Sequence, residues 1–179
     1  MKASELAQEI ELITLDAFAN FAMNGKTART QTAMTVFGGL GKRDGFTVCC
    51  RRSSYVERDE GEWLYDQLWY ENSPTKKGFL VRAAMALEAE FNDFEPRIDN
   101  DFPKLLLARV DVRVWLWQSV DGRRHIDLYK DQIREFGYSM PGDEWVFGVY
   151  DWLIHKPLIE RFTVTTSDLL RAGAGLANA

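Results

Sequence analysis

The sequence predicts an α/β domain, and three observations carry the prediction. Apolar residues recur at helical spacing at the N-terminus, β-rich and alternating runs fill the middle, and a capped helical run interrupts those strands near residue 101. Through residue 118 the main elements read helix, strand, strand, strand, helix, strand. A chain of 179 residues with 46% apolar side chains can fill one core. It reads as one domain over residues 1–179, with a core to about 118, a C-terminal extension from about 119 to 170 and a frayed tail over 171–179.

Each element has its own reason. Leu6, Ile10, Ile13, Ala17 and Phe21 are spaced three and four apart, with Ser4 as N-cap and Asn24-Gly25 as a stop. A second, short helix is expected from about Thr30 to Leu40, closed by Gly38, Gly39 and Gly41. Phe46 to Arg51 and Glu62 to Tyr70 are β-rich, and Asn72 to Gly78 forms a turn. The run Phe79 to Glu90 is rich in alanine, yet it leaves a hairpin-like turn and is apolar on both faces, which predicts a central strand. Asp101 caps a helix with Pro103 in its first turn. Val110, Val112, Val114 and Leu116 then alternate along a strand. A helix over about Ile126 to Phe136 and strands over Glu144 to Ile154 and Leu158 to Thr165 complete the chain. Trp63, Trp69, Trp115 and Trp117 lie on strand patterns and read as core.

Composition narrows the function classes. The formal net charge of -5 argues against a protein held to nucleic acid by non-specific attraction alone. No window approaches 18 consecutive apolar residues, so no membrane span is expected. The N-terminal acids do not suit a signal peptide, and Cys49 and Cys50 are adjacent, pointing to opposite strand faces where a bond between them would be strained. A reduced, cytoplasmic protein is the expectation. Two histidines and two cysteines do not make a zinc site, and Gly38-Gly39-Leu40-Gly41 lacks the Lys-Ser/Thr of a phosphate loop. His125 and His155 fall in turns without the Ser or Cys context of a hydrolytic triad.

The informative chemistry is acidic. Asp66 shares a strand face with Leu64 and Leu68, while Glu88 and Glu90 share one with Ala84 and Ala86. An acid on a buried strand is costly unless it is paired or binds a cation, and small alanines leave room beside it. A hard divalent ion, Mg²⁺ or Mn²⁺, takes one or two carboxylates together with water and phosphate oxygens.

With that helix–strand–strand–strand–helix–strand order, an acid on the second strand and an acid-x-residue motif on the third, the chain resembles the PD-(D/E)XK nuclease superfamily. The resemblance covers roughly residues 1–118. Ala86 to Phe91 followed by Asp101 to Arg109 is also similar to a bacterial subgroup of unassigned activity placed near that superfamily. It implies a restriction-endonuclease-like core and phosphodiester hydrolysis, with Asp66 and Glu88 as metal ligands. Glu90 is an extra acid, and Glu9 or Glu11 of the first helix can join them. The motif departs from the superfamily at Glu88-Ala89-Glu90, where lysine is expected in place of Glu90. Some members are similar in carrying the lysine on the following helix, and Lys104 stands in its first turn. Without that rescue the resemblance implies an inactive nuclease-like fold that serves as an accessory or immunity-type protein partner.

Ordinary readings stand beside these. Asp66, Glu9 and Glu11 also suit solvent-facing positions, Glu88 and Glu90 suit an exposed strand end, and Lys104 suits an exposed helix face. The acids between Asp93 and Asp101 have no calcium-loop spacing and suit a capped loop. Arg51, Arg52, Arg58, Lys76, Lys77 and Arg82 suit either a nucleic-acid face or scattered surface charge. A homodimer or a protein partner stays open.

Overall fold

The structure is a computed structural model that describes residues 1–50, 64–91 and 101–170. One six-stranded mixed sheet runs in the order β1 (Thr47–Cys50), β2 (Gln67–Asn72), β3 (Leu80–Glu90), β4 (Val112–Ser119), β5 (Glu144–Asp151), β6 (Lys156–Thr163). β1, β2 and β3 form an antiparallel meander; β3, β4 and β5 are parallel, and β6 returns antiparallel. The parallel steps require crossovers, and α3 (Phe102–Leu107) and α4 (Gly122–Glu135) supply them. These two helices cover one face of the sheet. On the other face α1 (Ala3–Ala17) lies over β4 to β6 and α2 (Lys26–Arg43) over β1 to β3.

Strand alternation separates two cores. Val48, Trp69, Met85, Leu87, Val114, Leu116 and Val146 pack beneath α1 and α2. Leu68, Ala86, Trp115, Trp117, Trp145 and Phe147 pack beneath α3 and α4 with Phe102 and Tyr129. Cys49 and Cys50 form no disulfide and are buried, one in each core, as adjacent strand residues must be. The run read as a central strand from 79 to 90 is β3, buried through its middle.

Several expected details are corrected. Ser4 does not cap α1: the helix starts at Ala3 after Lys2, whose backbone N–H donates to Glu5 Oε2 at 2.9 Å. Helix α1 ends at Ala17, and Asn24-Gly25 instead precedes α2, with Gly25 as its N-cap residue. The glycines at 38, 39 and 41 lie inside α2 and do not close it. Gly41 is there for close approach, because a Cβ would lie 2.8 Å from the Trp69 ring and 2.9 Å from Val48. A register shift between Trp69 and Tyr70 bulges β3, which puts Ala84 in the α1–α2 core while Ala86 stays in the other. Asp101 precedes α3 but makes no side-chain cap hydrogen bond. No helix among the described residues is long and apolar enough to cross a membrane. Trp63, Arg51, Arg52, Arg58, most of the acidic loop and the tail lie outside the described residues.

Candidate functional site

The expected acids converge on the sheet face beneath α3. Leu68 pairs with Ala86 and Gln67 with Leu87. Asp66 is not on the strand as expected but in the bend just before β2, and continuing the register by one residue sets it across from Glu88. The backbone makes the junction directly, with the Ala89 N–H donating to Asp66 Oδ2 at 3.0 Å. Glu88 lies beside Trp115 of β4, in the interior of a parallel pair, and is 2% exposed. Such a position normally demands an apolar residue. Glu90 is two residues on, on the same face at the half-buried end of β3.

Lys104 reaches this pair from the following helix. Its Nζ lies 2.7 Å from Asp101 Oδ1 and 3.3 Å from Glu88 Oε1. Asp101 thus holds the lysine and does not close the helix end, which explains its missing cap bond. Pro103 fixes the start of this short helix, and Phe102 and Leu105 anchor it on Trp115, Tyr129 and Trp145. The lysine is therefore mounted on a rigid, aromatic base. Among the described residues this ion pair is the only contact of the buried Oε1, which has no other hydrogen-bond donor.

The electrostatics follow from that geometry. Burial, reinforced by the neighbouring charge of Asp66, pushes the Glu88 carboxyl up to about 8, with Lys104 pulling the other way. Burial alone would lower Lys104, but Asp101 and Glu88 hold it above the ordinary lysine value. Burial and Glu88 also raise the half-buried Tyr65 phenol, against Arg113 and Lys104. Tyr65 therefore borders both the carboxylate pair and Arg113.

Glu9 is not part of this cluster. It sits on α1, across the sheet from Glu88, and its Oε2 pairs with Arg43 Nη2 at 3.0 Å. Glu11 shares that helix and interacts with Arg161. Neither can join Asp66 and Glu88, because α1 packs on the opposite face. Among the described residues, no group of three or more His, Cys, Asp or Glu is gathered to hold a metal ion. What the fold assembles is a two-carboxylate pair with a lysine. Of the basic residues, Arg82 is taken up by Glu71 and Asp111, at 2.8 and 2.5 Å, and Lys76 lies over the Phe79 ring.

Two features escape a reading of the sequence. His125 has a serine neighbour after all: Ser119 Oγ lies 2.7 Å from its Nδ1, brought there because β4 runs straight into α4. Ser119 is fully buried and also accepts the Asp121 N–H, so it orders the start of α4 and offers no exposed nucleophile. Arg113 is the second. Strand alternation made it an ordinary polar position, yet it is buried against Trp145 and donates to the Ala108 carbonyl at 2.7 Å.

No protein-family model, curated protein or solved structure matches the chain. The site therefore has to be read from its own geometry.

Proposed function

We propose that the chain hydrolyses phosphodiester bonds with a divalent ion, Mg²⁺ or Mn²⁺, held by Asp66 and Glu88. One observation carries the reading: Lys104, on the helix after the third strand, stands 3.3 Å from the buried Glu88 Oε1. That is where a lysine displaced from the strand motif has to be if it serves the same acids. The strand order and directions support the same superfamily reading, with three antiparallel strands followed by a fourth parallel to the third.

The residues fit a cation. Glu88 Oε1 is buried and accepts no hydrogen bond, and a second carboxylate adjoins it. Both are hard oxygen donors of the kind Mg²⁺ and Mn²⁺ prefer. The ion supplies a Lewis acid and a bound water of lowered pKa. Lys104 contributes a fixed positive charge beside the acids, placed to hold a phosphate oxygen or orient a water. Asp101 keeps that ammonium in place and charged, and Glu90 adds negative charge at the strand end.

A second reading has an observation of its own. With its carboxyl pushed up to about 8, Glu88 is largely protonated at neutral pH when no cation is present. An inactive nuclease-like scaffold serving as a protein partner would tolerate that state indefinitely.

Calorimetric titration with Mn²⁺ and cleavage of labelled single- and double-stranded substrates separate the two. The hydrolase reading expects binding in the wild type that disappears in Asp66→Ala and Glu88→Ala. It expects Lys104→Ala to keep Mn²⁺ binding while losing about a hundred-fold in cleavage rate. No Mn²⁺ binding and no cleavage, with all variants folded, would leave the scaffold reading.

A further inference from the structure

A second concave feature adjoins α3 at its other end. It is a cleft of about 220 Å³ between the C-terminal end of α3 and the segment after α4, lined by Leu106, Leu107, Arg109, Arg113, Phe136 and Tyr138. Arg113 is 5% exposed, and its Nε and Nη1 make no hydrogen bond. Among the described residues its acid is Asp143, whose Oδ1 lies 3.3 Å from Nη1. A buried guanidinium normally has its fork of N–H groups filled; here Nη2 donates to the Ala108 carbonyl, Nη1 faces Asp143 and Nε makes no hydrogen bond, so the positive charge lies buried beneath the cleft. Arg109 is exposed at the rim; its nearest polar contact is Met140 Sδ at 3.9 Å, and among the described residues it has no carboxylate partner. Among the described residues, two arginines stand against one aspartate at the cleft, an excess of one positive charge.

The walls limit what anion fits. Leu106, Leu107 and Phe136 are apolar, and Tyr138 is 73% exposed with its ring tilted against Phe136 at 5.7 Å. A phosphodiester carries a single negative charge, matching the excess. An exposed tyrosine beside arginines is a stacking platform for a base, and only an unpaired base offers it a free face. Location adds the link to the acids: Arg113 pairs with Ala86, two residues before Glu88 on the same sheet face, a step of roughly 7 Å along the strand.

We propose that this cleft binds a phosphodiester of single-stranded nucleic acid, with the exposed Arg109 on the phosphate, the buried charge of Arg113 beneath it and an unpaired base against Tyr138. The proposal rests on the reading of Asp66 and Glu88 as a phosphodiester-hydrolysing site, for which the cleft holds a flanking nucleotide of the strand. Tyr138 and Arg109 then set a preference for single strands that the acids alone do not supply.

Fluorescence anisotropy of a labelled short oligothymidylate, with chelator present so that nothing is cut, tests it on the full chain. Wild type is expected to bind the single strand more tightly than the corresponding duplex. Tyr138→Ala and Arg109→Ala are each expected to weaken binding about five-fold or more. Both residues are exposed, and unchanged thermal unfolding confirms the variants' folding. Equal affinity for wild type and variants, no binding, or equal affinity for duplex overturns the proposal. Cleavage with Mn²⁺ is then scored separately. A strand bound through the cleft but never cut keeps the cleft and removes the hydrolase reading. A strand cut while both variants bind like wild type keeps the hydrolase reading and removes the cleft.

Discussion

The two faces of the sheet treat buried polarity in opposite ways. Beneath α1 and α2, Glu144 is 3% exposed and fully engaged: Arg161 donates through Nε and Nη2 at 3.0 and 3.1 Å, and Thr163 Oγ1 at 2.9 Å. Gln118 on that face likewise receives Arg29 at 2.8 Å and donates to the Phe91 carbonyl at 2.8 Å. Beneath α3 and α4, Glu88 Oε1, Arg113 Nε and the indole N–H groups of Trp115, Trp117 and Trp145 are buried without hydrogen bonds. Two glutamates on one sheet, nearly equal in burial, thus have opposite surroundings. A fold selected only for stability has no reason to leave the second face unsatisfied, since each such group costs about 1–3 kcal/mol. The buried polar groups beneath α1 and α2 are paired, whereas several beneath α3 and α4 are not.

The largest effect separating them is a pH dependence. The Glu88 carboxyl stands at about 8 when folded and near 4.5 when unfolded, so between those values the folded state binds a proton that the unfolded state has lost. Its contribution to stability therefore falls as pH rises from about 4.5 to about 8, and is flat above. Glu88→Gln cannot lose that proton. Urea unfolding across this range should show the variant gaining on the wild type with rising pH, by several kcal/mol at most. Equal pH slopes would show that Glu88 titrates normally.

Glu144→Ala should act in the other direction, costing about 2–3 kcal/mol at neutral pH because it strands Arg161 and Thr163. Arg161 is partly exposed, which keeps the loss below that of a wholly buried pair. A cost no greater than that of Glu88→Gln would erase the contrast between the two faces. Next in size is Gly148→Ala on β5. An added Cβ would lie 2.6 Å from Thr14 Cγ2 and 2.8 Å from Leu116 Cδ2, so the α1 contact must shift, at about 1–2 kcal/mol by thermal unfolding. The smallest stability effect belongs to Lys104→Ala. This partly exposed lysine should contribute less than about 1 kcal/mol to folding. A large loss of stability would make it a structural residue.

Much of the fold was legible because local pattern and burial agree. The alternation from Val112 to Trp117, the proline in the first turn of α3 and the double-sided apolar run of β3 each fix an element without help from distant residues. The glycines of α2 look like a stop signal, while the use of Gly41 depends on Trp69 arriving from β2. Glu88 and Lys104 were legible as neighbours through strand period and helix start, whereas Asp66 reaches them from a bend before β2, held by the Ala89 N–H. Glu9 was not separable from them, since sequence does not say on which side of a sheet a helix packs. Arg113, Ser119–His125 and Glu144–Arg161 were hidden for the same reason: each exists only through pairing or packing between distant segments.

On the proposed reading, Glu88 is buried beside Asp66, with only Lys104 at its Oε1, so that it can hold a cation. Unfolding midpoints of wild type and Glu88→Gln, measured at one pH near neutrality with and without Mn²⁺, test it most directly. A cation that binds only the folded site must raise the wild-type midpoint in proportion to its occupancy. The expected result is a rise in the wild type and none in Glu88→Gln. No rise in the wild type, or the same rise in both proteins, would contradict it.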